Sequence, residues 1–166
     1  MRCAICPGSF DPFTLGHLDI VRRTSRLFDR VIVAVMANSE KHNLFAPEER
    51  ARMIRNATAD ILNVEVMAYD GLLSQLCRET GAAAIVKGVR GTQDLEHERM
   101  MAVVNHTLTE GEAETLLLFS EPEHLHISST VVREYLKYGL DCGELLPPEV
   151  AKDPALLLKT GRGERR

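Results

Sequence analysis

The segment PGSFDPFTLGH (residues 7–17) carries two glycines, two prolines and several short polar side chains, and it ends on a histidine. Gly16 lets the backbone pass close to a ligand and sets His17 in the first turn of a helix. The free N–H groups and the positive dipole end of that turn favour an anion. An imidazole there can donate to a phosphate oxygen and follow its developing charge. On residue type alone, a turn closed by a capping histidine accounts for His17 equally well. The segment is neither G-x-G-x-x-G nor a Walker A loop, so a phosphate site here is built differently from both common nucleotide fingerprints.

Other groups with matching chemistry lie further along. Lys41 stands in ANSEKHNLF, where a solvated surface lysine is the plain reading. In K-G-V-R-G (residues 87–91), Lys87 and Arg90 flank a flexible glycine, so two cations can converge on one anion. Asp94 and Glu98 of D-L-E-H-E are four apart and share a helix face, either as a solvated charged surface or as acceptors for sugar hydroxyls. Ser128, Ser129 and Thr130 open a helix; one N-cap needs one hydroxyl, and three beside a positive dipole end suit several phosphates. His124 and His126 lie two apart on a stretch read as extended and so face the same way, toward a pocket or a metal. These are donors and cations without a Ser-His-Asp set. They suit the positioning and neutralisation of phosphates, not covalent catalysis.

The chain as a whole conceals that cluster. Its 166 residues carry 20 Lys+Arg against 24 Asp+Glu, a formal charge of -4. There is no basic footprint for nucleic acid, so any phosphate-bearing partner is small. The N-terminal MRCAICPGSF lacks a secretory pattern, and no apolar run reaches the about 18 residues of a membrane span, so the chain reads as cytoplasmic. Of the four cysteines, Cys3 and Cys6 have C-x-x-C spacing. They sit on a strand whose side chains three apart point to opposite faces, and they read as inert core thiols.

The elements that must hold these groups alternate. Strand-like runs are Arg2–Cys6, Arg30–Met36, Asn63–Met67, Ala83–Val86 and Glu114–Phe119. Helical patterns cover residues near 16–28, 47–60, 71–80, 92–108 and 129–138, with Pro47 as a helix start and Gly81 and Gly139 as C-caps. Such alternation predicts an α/β fold: one doubly wound, Rossmann-like five-stranded parallel sheet with helices on both faces. In order 3-2-1-4-5, the switch point between the first and fourth strands receives the ligand at the carboxyl ends. Residues 1–159 read as one domain and 160–166 as a flexible tail.

T-L-G-H (Thr14–His17) and I-S-S-T-V-V-R (Ile127–Arg133) resemble the [HT]-x-G-H and I-S-S-[ST]-x-x-[RK] signatures of the nucleotidyltransferase superfamily that includes class I aminoacyl-tRNA synthetases. The longer G-S-F-D-P-F-T-L-G-H (residues 8–17), with D-I-V at 19–21, resembles the bacterial phosphopantetheine adenylyltransferases. That resemblance covers residues 3–150 and implies transfer of the adenylyl group of ATP to 4′-phosphopantetheine, giving dephospho-coenzyme A and pyrophosphate. It further implies a homohexamer; Mg2+ is expected to travel with the phosphates, because the sequence offers no dedicated protein cage for it. His17, Lys41 and Arg90 are its implied catalytic groups, His17 acting on the α-phosphate. ATP is implied to be held by Ser9, Phe10, His17, Gly88, Val89, Arg90 and Glu98, together with His124, Leu125, His126, Ile127, Ser128, Ser129 and Thr130. Ser9, Lys41, Leu73, Lys87 and Asn105 are implied for the acceptor.

The chain departs from the family pattern at several positions. Lys87 stands where arginine is usual, which keeps the charge and loses the bidentate fork. Leu95 and His97 break the D-F-E-Y-E pattern, and E-H-L-H (residues 123–126) replaces the usual aromatics. Two other readings share the signatures: a nucleotidyltransferase with a cytidylyl donor or another phosphorylated acceptor, and a nucleotide-sensing module without turnover. Lys41, K-G-V-R and D-L-E-H-E favour phosphopantetheine, and the presence of His17 with both loop cations favours turnover.

Overall fold

The computed structural model describes residues 1–36 and 43–159. Lys41 and the 160–166 tail lie outside the described residues. Five strands, β1 (Cys3–Gly8), β2 (Arg30–Met36), β3 (Val64–Tyr69), β4 (Ala82–Val89) and β5 (Glu114–Phe119), form one sheet in the order β3-β2-β1-β4-β5. Every pairing is parallel, as βαβ connections require. The central strands are covered on both faces, so they read as unbroken apolar runs in place of alternating ones.

Strand alternation sorts the core into two layers. Cys6, Val31, Val33 and Val35 face α1 (Leu15–Ser25), α2 (Pro47–Ala57) and α5 (Ser129–Lys137). Cys3, Ile5, Ile32 and Ala34 face α3 (Leu73–Thr80). The fourth helix, α4 (Thr92–Leu108), leaves the switch point and packs on β4 and β5. Cys3 and Cys6 therefore lie in different layers, and both are free, buried thiols. Burial pushes the Cys6 thiol up to about 12 and raises that of Cys3 against the opposing pull of Arg30.

Local chemistry sets the element ends. Thr14 and His17 form a capping box at the start of α1. The side-chain amide of Asn63 donates to the carbonyls of Ser25 and Phe28, holding the turn that ends α1 three residues before the sequence pattern does. Pro47 begins α2 with Glu48 and Glu49 behind it, and Gly81 ends α3 in the left-handed conformation (φ 62°).

Two expectations are corrected. β4 runs on to Val89, so Lys87–Val89 belong to a strand paired with Leu117–Phe119, not to a loop. Gly88 is then a close-approach residue: a Cβ there would stand 2.9 Å from Ile20 Cγ1 on α1. Second, Pro122–His124 forms a 3-10 turn closed by His124 N–H on the Glu121 carbonyl, so His124 and His126 are not on an extended stretch. The chain beyond α5, for which the sequence pattern gave no element, holds two further short helices, α6 (Pro148–Ala151) and α7 (Pro154–Lys159). They are fastened to α2 by the Arg52–Asp153 pair at 2.7 Å, and Asp153 also accepts the Ala155 N–H.

Candidate active site

The β1–α1 loop is held from outside. Its carbonyls accept side-chain donors from two distant helices: Ser9 from Arg50 Nη1, Asp11 from Arg133 Nη1 (2.7 Å) and Pro12 from Ser129 Oγ (2.8 Å). The Asp11 carboxylate accepts the backbone N–H groups of Leu44 and Phe45 at 2.8 and 2.9 Å, tying the loop to the approach of α2. Between these fixed points Phe10 has φ 50°, a left-handed conformation that a side chain of this size rarely adopts. Its ring meets the His17 imidazole edge-on at 5.1 Å, Phe13 stacks on the same imidazole at 5.6 Å, and the two phenyl rings touch each other at 5.6 Å.

His17 is oriented and neutral. Nδ1 accepts the Thr14 backbone N–H at 3.0 Å, so the proton of the neutral ring sits on Nε2. Burial first, then the charges of Arg90 and Lys87, hold its pKa down at about 4. At neutral pH the side chain is thus both the helix cap and an Nε2–H donor. The two readings of the residue coincide, because a capping box leaves the far ring nitrogen free.

The cations at the end of β4 have carboxylate partners. Lys87 Nζ lies 3.0 Å from Glu98 Oε1, and Arg90 Nε lies 2.9 Å from Asp94 Oδ2. Arg90 Nη1 reaches the Ile127 carbonyl at 3.3 Å, linking β4 to the start of α5. There the three hydroxyls divide their duties. Ser128 Oγ caps the Val131 N–H, Ser129 donates to Pro12, and Thr130 Oγ1 accepts from Arg133 Nη2. The expected bank of three phosphate donors is in part a clamp between the two signature segments.

Two adjoining cavities open at this end of the sheet. One, about 360 Å³, is lined by the β1–α1 loop with His17, by Lys87, Gly88, Arg90 and Glu98, and by Ile127–Thr130. The other, about 610 Å³, is lined by Met36, Leu73, His97, Met101 and Asn105 on its own side. Ser9, Lys87, Arg90 and Glu98 border both. Of the residues anticipated from sequence, Val89 is buried with its carbonyl taking the Ser120 N–H, and it lines neither cavity. His124, half-buried, and Leu125 and His126, both exposed, also line neither cavity; His124 packs beside Gly16. Gly16 and Asp94, whose sequence context suggested ligand contact, line the first cavity, and so do Thr14 and Arg133, which the signatures contain but to which no ligand role was given. The arginine of the second signature was in plain view. Arg50, fully buried on the apolar face of α2 with Met53, Ile54 and Ala57, betrayed itself only as a charge at an apolar helical position.

Among the described residues no three His, Cys, Asp or Glu side chains stand together as a metal cage. Asp94 and Glu98, the carboxylates of the first cavity, already face Arg90 and Lys87. The arrangement can bind two anions side by side, with a neutral imidazole donor and paired cations at the meeting point.

Comparison with known proteins agrees with that chemistry. The model of the cytidylyltransferase-like family matches residues 5–135. The phosphopantetheine adenylyltransferase of Symbiobacterium thermophilum is 50% identical over 149 residues, covering 90% of this chain and 91% of that protein. That of Chloroflexus aggregans is 49% identical over 150 residues, covering 90% and 92%. Among solved structures, a bifunctional NMN adenylyltransferase/ADP ribose pyrophosphatase from Francisella tularensis, complexed with AMP and a manganese ion, superposes with TM-score 0.69 at 16% identity. The match covers 99% of this chain and half of that longer protein, and it is a likeness of fold.

Proposed function

The chain belongs to the phosphopantetheine adenylyltransferases, within the cytidylyltransferase-like family, and from that premise we propose how its site performs the reaction. It transfers the adenylyl group of ATP to 4′-phosphopantetheine, giving dephospho-coenzyme A and pyrophosphate. The observation that carries the reading is the shared border of the two cavities. ATP takes the cavity floored by the start of α5, with Phe10, Gly88, Arg90, Glu98 and Ile127–Thr130 around it. The pantetheine arm takes the other, along Leu73, Met101 and Asn105. The acceptor phosphate then meets Ser9 and Lys87 at the border, with Lys41 as a further proposed contact, and the α-phosphate meets His17.

The acceptor is already an anion, so no general base is required. One of its oxygens forms a bond to the α-phosphorus as the α–β bridging bond breaks, and pyrophosphate leaves with that electron pair. The protein's work is to align two anions and stabilise the charge gathered between them. His17 Nε2–H donates to a non-bridging α-oxygen whose charge grows in the transition state. Arg90 and Lys87 exchange their carboxylate partners for phosphate. Magnesium, in this proposal, enters bound to the triphosphate, a reading supported by the commitment of Asp94 and Glu98 to cations.

The wider setting is proposed as well. Met100, Val103, Val104 and Leu108 of α4, with Leu116 and Phe119 of β5, leave an apolar surface uncovered, which supports self-association as a homohexamer. Four cysteines with no disulfide among them suit a reducing cytoplasm, and no helix among the described residues is long and apolar enough to cross a membrane. The decisive assay is pyrophosphate release with ATP or CTP against a panel of phosphorylated acceptors. Release with ATP and phosphopantetheine is expected. Release only with glycerol phosphate, nicotinate mononucleotide or CTP overturns the reading.

A further inference from the structure

Arg50 is 0% exposed and stands among Ala51, Met53, Ile54 and Ala57 on the face of α2 that packs into the core. Its Nη1 donates to the Ser9 carbonyl, while its Nε and Nη2, both shut off from solvent, have no hydrogen-bond partner among the described residues. Asp11 is the carboxylate near it, but that group is engaged with the N–H groups of Leu44 and Phe45. A guanidinium presents five N–H donors, and burying it half-satisfied is costly. An unbranched apolar side chain of similar reach would fill this position without that cost. The benefit of Arg50 must therefore lie in what it touches.

It touches the loop at the border of the two cavities. Ser9 lines both, and the next residue is Phe10 with its φ of 50° and its ring edge on His17. Arg50 holds the carbonyl before Phe10, and Arg133 holds the carbonyl after it, on Asp11. Two guanidiniums from separate helices thus bracket the one strained residue of the loop.

We propose that Arg50 is a positioning residue for adenylyl transfer, which holds the Ser9 carbonyl so that Phe10 stays in its left-handed conformation against His17 and Ser9 stays at the cavity border. The proposal rests on the functional reading above, in which Ser9 and His17 meet the two reacting phosphates. Releasing Ser9 lets the peptide relax to negative φ at Phe10, which withdraws the ring from His17 and shifts Ser9 away from the acceptor.

Arg50→Met and Arg50→Lys test this through thermal unfolding, hydrogen exchange of residues 8–14 and steady-state pyrophosphate release. For Arg50→Met, a thermal midpoint equal to or above that of the wild type is expected, with faster exchange over residues 8–14. Turnover should fall roughly 10- to 100-fold, the scale of an ångström-sized misplacement at a reacting centre. Arg50→Lys, which keeps a donor for Ser9, should lie between wild type and Arg50→Met in both exchange and turnover. Unchanged exchange or unchanged turnover in Arg50→Met overturns the proposal. So does failure of that variant to fold, or a midpoint lower by more than about 10 °C, since the guanidinium would then serve the core. Wild-type enzyme with ATP and phosphopantetheine is the control: no release there sinks the functional reading alone, while the exchange data still judge Arg50.

Discussion

His17 joins structure to chemistry in a single ring. Its Nδ1 is spent on Thr14 and its Nε2–H is left to donate, a division that any helix-capping histidine produces. Replacing it by alanine should lower turnover by about 10²-fold or more, the loss typical of one transition-state donor, while circular dichroism shows an intact fold. Its ionisation supplies a second prediction. Burial beside two cations holds the folded-state pKa near 4, below the ordinary 6.5. The unfolded chain therefore binds the proton first as the solution is acidified. The stability contribution of His17 is complete above pH 6.5 and is lost as pH falls toward 4. Thermal unfolding of the wild type should show that slope, and His17→Gln should flatten it between these limits. Equal slopes in the two proteins would mean that the imidazole is not held neutral.

At the scale of elements, the site is an assembly of loops that grip one another. The start of α5 is bound to the β1–α1 loop by Ser129 on Pro12 and Arg133 on Asp11, across 117 and 122 residues of chain. A Ser129→Ala variant removes one such bond and leaves a half-buried carbonyl unpaired. It should lower the unfolding free energy by about 1 kcal/mol in urea titration. It should also raise the KM for ATP, because the β1–α1 loop and the α5 start line the same cavity. A fully stable variant with normal kinetics would assign Ser129 to neither task. The I-S-S-T motif showed three hydroxyls, but their targets lie on a segment more than a hundred residues earlier. Lys87 misled in a similar way. Glycine next to it suggested a loop, whereas pairing with Leu117 keeps it in β4 and gives the side chain a fixed direction toward Glu98.

At the scale of the molecule, the layered sheet was legible from the chain and its closed surface was not. Alternating β-rich and helical runs, with glycine caps and proline starts at the right offsets, lead to one parallel topology, because crossover handedness leaves few alternatives. Helix α4 shows the limit. Of its residues only Asn105 is buried, although Met100, Val103 and Leu108 are apolar. Its exposed side marks the proposed contact between copies. Val103→Glu should therefore reduce the sedimentation coefficient to that of a smaller species at micromolar concentration, and an unchanged value would place the contact elsewhere.

The amino-acid sequence by itself determined the class of chemistry and the alternation of strands with helices, since residue type and periodicity are local properties. A charge of -4 hiding His17, Lys87 and Arg90 at strand ends already indicated small phosphorylated ligands. The tertiary structure alone decided which polar groups are free to act and which hold other groups in place. Glu98 engages Lys87, Asp94 engages Arg90, and Ser129, Arg133 and Arg50 are fastened to the carbonyls of the β1–α1 loop. The physical reason is that a hydrogen bond depends on distance in space, and these partners are brought within 3 Å by packing that their spacing along the chain does not encode.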